Sequence, residues 1–306
     1  MEDHENQTIY FMYGKDAILE NFDVWIRWEY NRDLWKEEHR EQMDENIDEE
    51  IMKKTYERVY EDFKNRNYFR RTIMEFLYER TALLIGESGI KKLQEAKVAV
   101  FGIGGVGSYA AEALARAGVG HLVFIDDDIV TETNMNRQLV ADYTTIGQYK
   151  VDVMEERVKR VNSSCVVQAL VAKYTPSAID FVSNLQVNYI IDAIDDISAK
   201  IALAVSCYEQ GIVEIASMGT GNRLYPELLN ITDIYKTSSC GLARKMRKEL
   251  KETCVKRLPV VCSTETPLKS LGNNKILGSI SFVPPVAGMM MAGYIIRTIL
   301  GESIVR

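Results

Sequence analysis

The stretch KVAVFGIGGVGSYAAEALARAGVG, residues 97–120, decides the fold. Lys97 to Phe101 reads as a buried strand, GIGGVG at 102–107 as a tight turn, and the alanine-rich run at 108–117 as a helix that stops at Gly118. In such a turn Gly102 permits the bend, Gly104 lets backbone N–H groups approach a phosphate, and Gly107 brings the helix close to the strand. The next apolar run, HLVFI at 121–125, ends in Asp126, 24 positions after Gly102. An acid about 20 residues past the turn, at a strand end, accepts ribose hydroxyls in nucleotide-binding folds. A glycine turn alone is a weak signal. Set between a strand and a helix, with the acid downstream, it indicates a bound nucleotide.

Outward from this unit, strand and helix patterns alternate. After HLVFI come a helix at 150–161, CVVQAL at 165–170, a short helix after Pro176, NYIIDA at 188–193, a helix at 198–210 and IVEIA at 212–216. Strands this apolar on both faces belong in a mainly parallel sheet covered by helices, so the expected fold class is α/β, doubly wound and Rossmann-like. Beyond Gly219 the alternation stops, apolar runs follow at 259–262 and 279–283, and Pro285 is placed to open a last helix. Toward the N-terminus, Ile18, Phe22, Trp25, Val59, Phe63, Met74 and Leu77 recur at helical spacing, predicting two or three helices over 15–80. The expected division is an acidic helical extension at 1–66 and a nucleotide-binding domain at 67–306 with a basic insert at 236–257.

A chain of 306 residues has room for one large α/β core and an accessory element. Residues 1–62 carry 19 acidic and 8 basic side chains, the remainder 25 and 29, so a mildly basic domain follows an acidic extension. The run EEHREQMDENIDEE reads as a solvated face or loop, or as an acidic surface for a partner protein. Five cysteines, at 165, 207, 240, 254 and 262, form no CxxC pair, which argues against a disulfide framework or a zinc site of usual spacing. No secretory signal pattern is visible, and Ile280 to Leu300, interrupted by Pro284, Pro285 and Arg297, reads as a buried helix rather than a transmembrane segment. The expected compartment is the reducing cytoplasm.

The second half of the motif selects the chemistry. Asn134 and Arg137, in NMNRQ, and Lys150, in GQYK, supply a clamp that hydride transfer to a nicotinamide does not need. Two cations beside a triphosphate counter the charge that shifts when the α-phosphorus is attacked and pyrophosphate leaves. Nucleotidyl transfer is therefore favoured over NAD-dependent redox chemistry. Asp195, in DAIDD after the fourth strand, is placed to hold Mg2+ across the phosphates; alternatively, Asp195 or Asp196 caps the next helix.

The runs GIGGVGSYAAEALARAGVG, IDDDIVTETNMNRQ, GQYKVDVMEERVKRVN and DAIDD together resemble the ubiquitin-activating-enzyme-like adenylyltransferase superfamily. LLIGESGIKKLQEAKVAVFGIGGVGS, SMGTGN at 217–222, ITDIYKT at 231–237, CSTETP at 262–267 and FVPPVAGMMMAGY at 282–294 are most similar to its tRNA threonylcarbamoyladenosine dehydratase branch. The similarity covers residues 78 to 302. It implies ATP-dependent adenylation of a carboxylate next to the tRNA anticodon, followed by ring closure, so that water is lost overall. It assigns Gly104, Gly105, Asp126, Asn134, Arg137, Lys150 and Asp195 to ATP and magnesium; Gly102, Gly107 and Asp128 complete the cofactor-binding candidates. It also implies a homodimer in which Arg80 reaches into the partner's site as an arginine finger, where the residue by itself reads equally as a surface charge.

The insert carries Lys236, Arg244, Lys245, Arg247 and Lys248 among eight basic residues against two acids, which suits the phosphates of an anticodon stem. NRNYFRR at 65–71, with bases flanking aromatics, is a second RNA-contact candidate. Cys240 and Cys254 lie near basic residues able to lower a thiol pKa, but the dehydration needs no thiol. Departures from the branch are the long extension and SSCG at 238–241, where an Asp-Pro turn is usual. Competing readings are an adenylyltransferase for a ubiquitin-like sulfur carrier, an oxidoreductase and a non-catalytic nucleotide sensor.

Overall fold

Strand β1 (Lys97–Phe101) lies parallel to β2 (His121–Ile125), paired residue for residue from Lys97–His121 to Phe101–Ile125. The computed structural model describes residues 67–178, 180–269 and 277–301. Around this pair the order is α1 (Asn67–Glu95), β1, α2 (Gly107–Ala117), β2, α3 (Lys150–Val161), β3 (Val166–Leu170), α4 (Phe181–Leu185) and β4 (Tyr189–Asp192). There follow α5 (Ile197–Gln210), β5 (Val213–Ser217), β6 (Leu229–Asp233), α6 (Gly241–Leu250), β7 (Pro259–Ser263) and α7 (Val283–Leu300). Gly86, at φ 70 and ψ 166, interrupts α1. A division into two compact units falls inside α1, the second beginning at Arg80. The acidic extension at 1–66 lies outside the described residues, and of NRNYFRR only the helical backbone from Asn67 onward is described.

The seven strands run in the order β3-β2-β1-β4-β5-β7-β6, all parallel except β6, which pairs antiparallel with β7. Successive residues of β1 alternate between two cores, which explains its double burial. Val98 and Val100 join the core that includes Leu114 of α2, Met154 of α3 and Met291 of α7, while Ala99 and Phe101 join the core that includes Val182 of α4 and Leu203 of α5. Phe101 packs edge-on against Tyr174 at 5.4 Å, and Tyr174 lies 5.7 Å from Phe181. The chain leaves β1 toward β2 and β3 on one side, then returns to β4 on the other. The strand order thus reverses between β1 and β4, opening the crevice at their carboxyl ends where ligands of such sheets bind.

By length and composition α7 is long and apolar enough to cross a membrane, the one such helix among the described residues. Its packing shows a core helix: Ala287, Met291, Ala292 and Ile295 are buried, and a Cβ on Gly288 would lie 2.2 Å from the Val106 carbonyl oxygen. Pro284 and Pro285 occupy its first turn, where a missing N–H costs nothing. The basic insert contains α6, whose Ala243, Met246 and Leu250 recur at helical spacing and are buried.

Candidate functional site

The glycine turn begins as an extension of the sheet, since Gly102 N–H donates to Ile125 O at 2.8 Å and Ala193 N–H to Phe101 O at 2.8 Å. Gly102 then turns at φ 85, and a Cβ there would lie 2.7 Å from Ala193 O. A Cβ at Gly107 would lie 1.7 Å from Gly102 O, so only glycine lets α2 start this close to β1. At Gly104 the constraint is absent: its Cβ position meets only Gln138 Nε2, at 3.8 Å. The N–H groups of Gly104 and Gly105 have no partner among the described residues. Orphan donors at the start of an 11-residue helix form an anion cradle.

Asp126, at the end of β2, helps shape that turn. Its Oδ2 accepts Ile103 N–H at 2.6 Å and its Oδ1 accepts Asp128 N–H at 2.9 Å. Burial raises its pKa above the ordinary value, while the Lys150 ammonium and these two N–H groups pull the other way. Each oxygen keeps lone-pair capacity for ribose hydroxyls.

Lys150 opens α3 with only 5% of its surface exposed, and its Nζ lies 2.6 Å from Asp128 Oδ2. The arrangement is a buried ammonium facing an exposed carboxylate, a pair that an incoming phosphate can rearrange. Arg137 is placed against the turn: its Cγ lies 3.2 Å from the Cβ position of Gly105. Its guanidinium is held on its own loop, with Nη1 donating to Thr133 O at 2.9 Å and Asn136 Oδ1 at 2.7 Å. Asn134 is buried, and its Oδ1 accepts Thr131 N–H at 3.1 Å within a capping box that fixes the loop. Its structural part is therefore to organise the loop that carries Arg137.

One polar side chain at the turn escaped the sequence reading. Gln138 is buried near Gly104 and its Oε1 has no hydrogen-bond partner among the described residues. An idle buried amide beside open space is itself a site signal. In sequence it was visible only as the last letter of NMNRQ.

After β4, Asp196 caps α5, accepting Ala199 N–H at 2.8 Å, and Asp195 is left exposed. Beneath the same loop Lys200 Nζ lies 2.9 Å from Asp192 Oδ2, an ion-pair distance without hydrogen-bond alignment, both side chains fully buried. Asp192 Oδ1 accepts Ile194 N–H at 3.0 Å, which sets the path of the loop toward Asp195. The carboxylates of Asp126, Asp127 and Asp128 also converge. Asp126 and Asp128 are already engaged by N–H groups and by Lys150, which leaves Asp127 and Asp195 as the free carboxylates here for a hard cation.

Elsewhere, Arg244, Lys245, Lys248 and Lys236 are exposed, whereas Arg247 is half-buried and donates to Thr237 O at 2.8 Å and to Thr237 Oγ1. Arg80 is exposed on α1. Cys165 and Cys207 are core residues; burial pushes the Cys165 thiol up to about 12 and raises Cys207 further. Cys240, by contrast, is pulled down to about 5, chiefly by the neighbouring Cys262 thiol rather than by the basic side chains.

The profile of the ThiF family matches residues 78–305. A tRNA threonylcarbamoyladenosine dehydratase of Bacillus subtilis strain 168 is 39% identical over 241 residues, covering 74% of this chain and 95% of that protein. The protein of the same name from Escherichia coli K12 is 40% identical over 171 residues, covering 56% of this chain and 64% of that protein. The crystal structure of the E. coli enzyme TcdA in complex with ATP superposes with a TM-score of 0.69 at 32% identity, over 74% of this chain and 95% of that one. Its complex with AMP gives 0.70.

Proposed function

This chain belongs to the ThiF family, and we propose that within it the protein is an ATP-dependent tRNA threonylcarbamoyladenosine dehydratase. The observation that carries this reading is the 39% identity with the B. subtilis dehydratase across 95% of that protein. The carboxylate of the modified adenosine attacks the α-phosphorus of ATP and pyrophosphate leaves, giving an acyl adenylate. An internal nucleophile of the same base displaces AMP and closes a ring. Adenylation is required because a carboxylate at neutral pH is a poor electrophile with a poor leaving group.

In this reading the idle N–H groups of Gly104 and Gly105 receive the phosphates, and Asp126 receives the ribose. Lys150 exchanges Asp128 for phosphate, Arg137 leaves Thr133 and Asn136 for it, and both stabilise charge moving onto pyrophosphate. Asp195, released from capping duty, suits a magnesium ion, which when bound neutralises phosphate charge. The exposed cations of α6, with Lys236, face the anticodon stem, and Arg247 steadies the segment that carries them. A homodimer in which Arg80 of each subunit completes the other's site, a cytoplasmic location, and a partner protein at the acidic extension belong to the same proposal.

The test is ATP–pyrophosphate exchange with and without tRNA bearing threonylcarbamoyladenosine, followed by mass spectrometry of the nucleoside. Exchange that requires this tRNA, with loss of one water, is expected. Exchange that requires a carrier protein ending in Gly-Gly, and ignores tRNA, would replace this reading with sulfur-carrier activation.

A further inference from the structure

The adenylation chemistry leaves two sulfur atoms at the start of α6 unused. Cys240 occupies the N-cap, where an oxygen usually sits, and its Sγ accepts Ala243 N–H at 3.5 Å. Cys262, on β7, donates its thiol to Ser238 O at 3.9 Å, two residues before Cys240, and the two thiols belong to one buried cluster and perturb each other. The Cys240 sulfur lies 3.7 Å from the Cβ position of Gly219, and the Cys262 thiol with the N–H groups of Ala243, Gly219 and Leu242 all act to lower its pKa. Together they favour the thiolate against the cost of burial. The neighbouring Cys240 and burial both hold Cys262 in its thiol form.

Arg223 supplies a second, independent observation. It is 3% exposed and donates Nη2–H to Ser239 O at 2.8 Å, while Nε and Nη1 are buried without partners among the described residues. No carboxylate pairs with this guanidinium among the described residues. A buried cation with idle N–H groups is costly unless an anion lies near. The positive fields of Arg223 and Arg247 both act on the Cys262 sulfur, so this cation is set beside the pair.

We propose that Cys240 and Cys262 are a redox-active dithiol, which a hydroperoxide oxidises to an intrachain disulfide and a thiol reductant restores. The Cys240 thiolate attacks one peroxide oxygen, the O–O bond breaks, and the departing hydroxide or alkoxide takes a proton from solvent, leaving a sulfenic acid. The Cys262 sulfur then attacks that sulfur. An S–S bond forms, the S–O bond breaks, and hydroxide leaves with the Cys262 proton as water. The two sulfurs lose two electrons and the peroxide gains them. The bridge closes a loop that contains the whole of α6, fastening the first turn of the basic helix to β7.

The experiment treats the full chain with hydrogen peroxide, blocks remaining thiols by alkylation, and maps peptides by mass spectrometry. Expected are a loss of two hydrogens, a peptide joining Cys240 to Cys262, and full reversal by dithiothreitol. In Cys262→Ser the intermediate persists, and a cyclic 1,3-dione labels Cys240. The proposal is overturned if half-exposed Cys254 is oxidised while Cys240 and Cys262 stay free, or if Cys240 reacts no faster than buried Cys165 in the same sample. Both comparisons are made within the wild-type chain, so they do not depend on a variant folding.

Discussion

Among the described residues the Arg137 guanidinium bonds only to a carbonyl and an amide of its own loop, neutral acceptors that a phosphate displaces easily. Replacing Arg137 by Ala is expected to lower tRNA-dependent pyrophosphate exchange at least tenfold, about 1.4 kcal/mol of transition-state stabilisation. Full exchange in that variant would remove Arg137 from the clamp. A different residue governs the response to pH. Glu214 of β5 is buried, and burial, then the Asp192 charge, hold it well above the ordinary carboxylate range against the pull of Lys200. A raised folded value means that its contribution is whole below the unfolded value of 4.5 and is lost as pH rises through the folded one. Each tenfold difference in proton affinity between the two states is worth about 1.4 kcal/mol. Urea midpoints measured from about pH 5 to pH 8 should fall more steeply in the wild type than in Glu214→Gln; parallel curves would show Glu214 ionised in the fold. At this scale the sequence was readable where residues share a motif, as Asp126, Arg137 and Lys150 do. It was silent where an encounter depends on tertiary docking: Gln138 against Gly104, or Cys240 against Cys262, whose meeting needs both the seat of α6 and the position of β7.

Among the elements, legibility followed burial. β1, β2, β4 and β5 lie within the sheet, and their apolar runs gave bounds within a residue or two of those observed. β6 was not read, because LNITD is an edge strand with one buried residue and no clear alternation. The polar insert concealed α6 in the same way, its three buried residues outnumbered by surface charges. That burial pattern has a consequence for RNA binding. With Ala243, Met246 and Leu250 turned inward, Arg244, Lys245 and Lys248 are left to solvent, free to change without disturbing the core. Changing all three to Gln should weaken tRNA binding and reduce the slope of log affinity against log salt by about 2 to 3, with the melting temperature nearly unchanged. An unaltered slope would place the RNA on another surface. Helix α7 gives the complementary case, since Gly288 is filled by the Val106 backbone. Gly288→Leu should cost about 1–3 kcal/mol by overpacking and weaken ATP binding with it, because the displaced helix bears on the glycine turn. Calorimetric ATP titration at a temperature where the variant remains folded separates the two effects.

For the whole molecule, the question is whether one chain holds a complete site. The crevice between β1 and β4 brings together the glycine turn, Asp126, Arg137, Lys150 and the loop of Asp195, whereas Arg80 lies exposed on α1, before the sheet begins. An exposed arginine contributes little to stability by itself, so a large loss of catalysis on its removal would report a role at a site, in its own chain or in the partner's. If Arg80 serves the partner's site, Arg80→Ala and Lys150→Ala are each inactive as homodimers for different reasons. A mixed dimer then contains one site with an intact Lys150 and an intact Arg80 from across the interface, and one site lacking both. Equal mixing after subunit exchange should restore about a quarter of wild-type exchange activity, the fraction expected for random pairing in a two-fold dimer. Subunit exchange is checked by mass spectrometry of differently tagged chains. Mixed dimers that form and remain inactive would show that Arg80 acts within its own chain, and full activity of Arg80→Ala alone would reduce it to a surface charge.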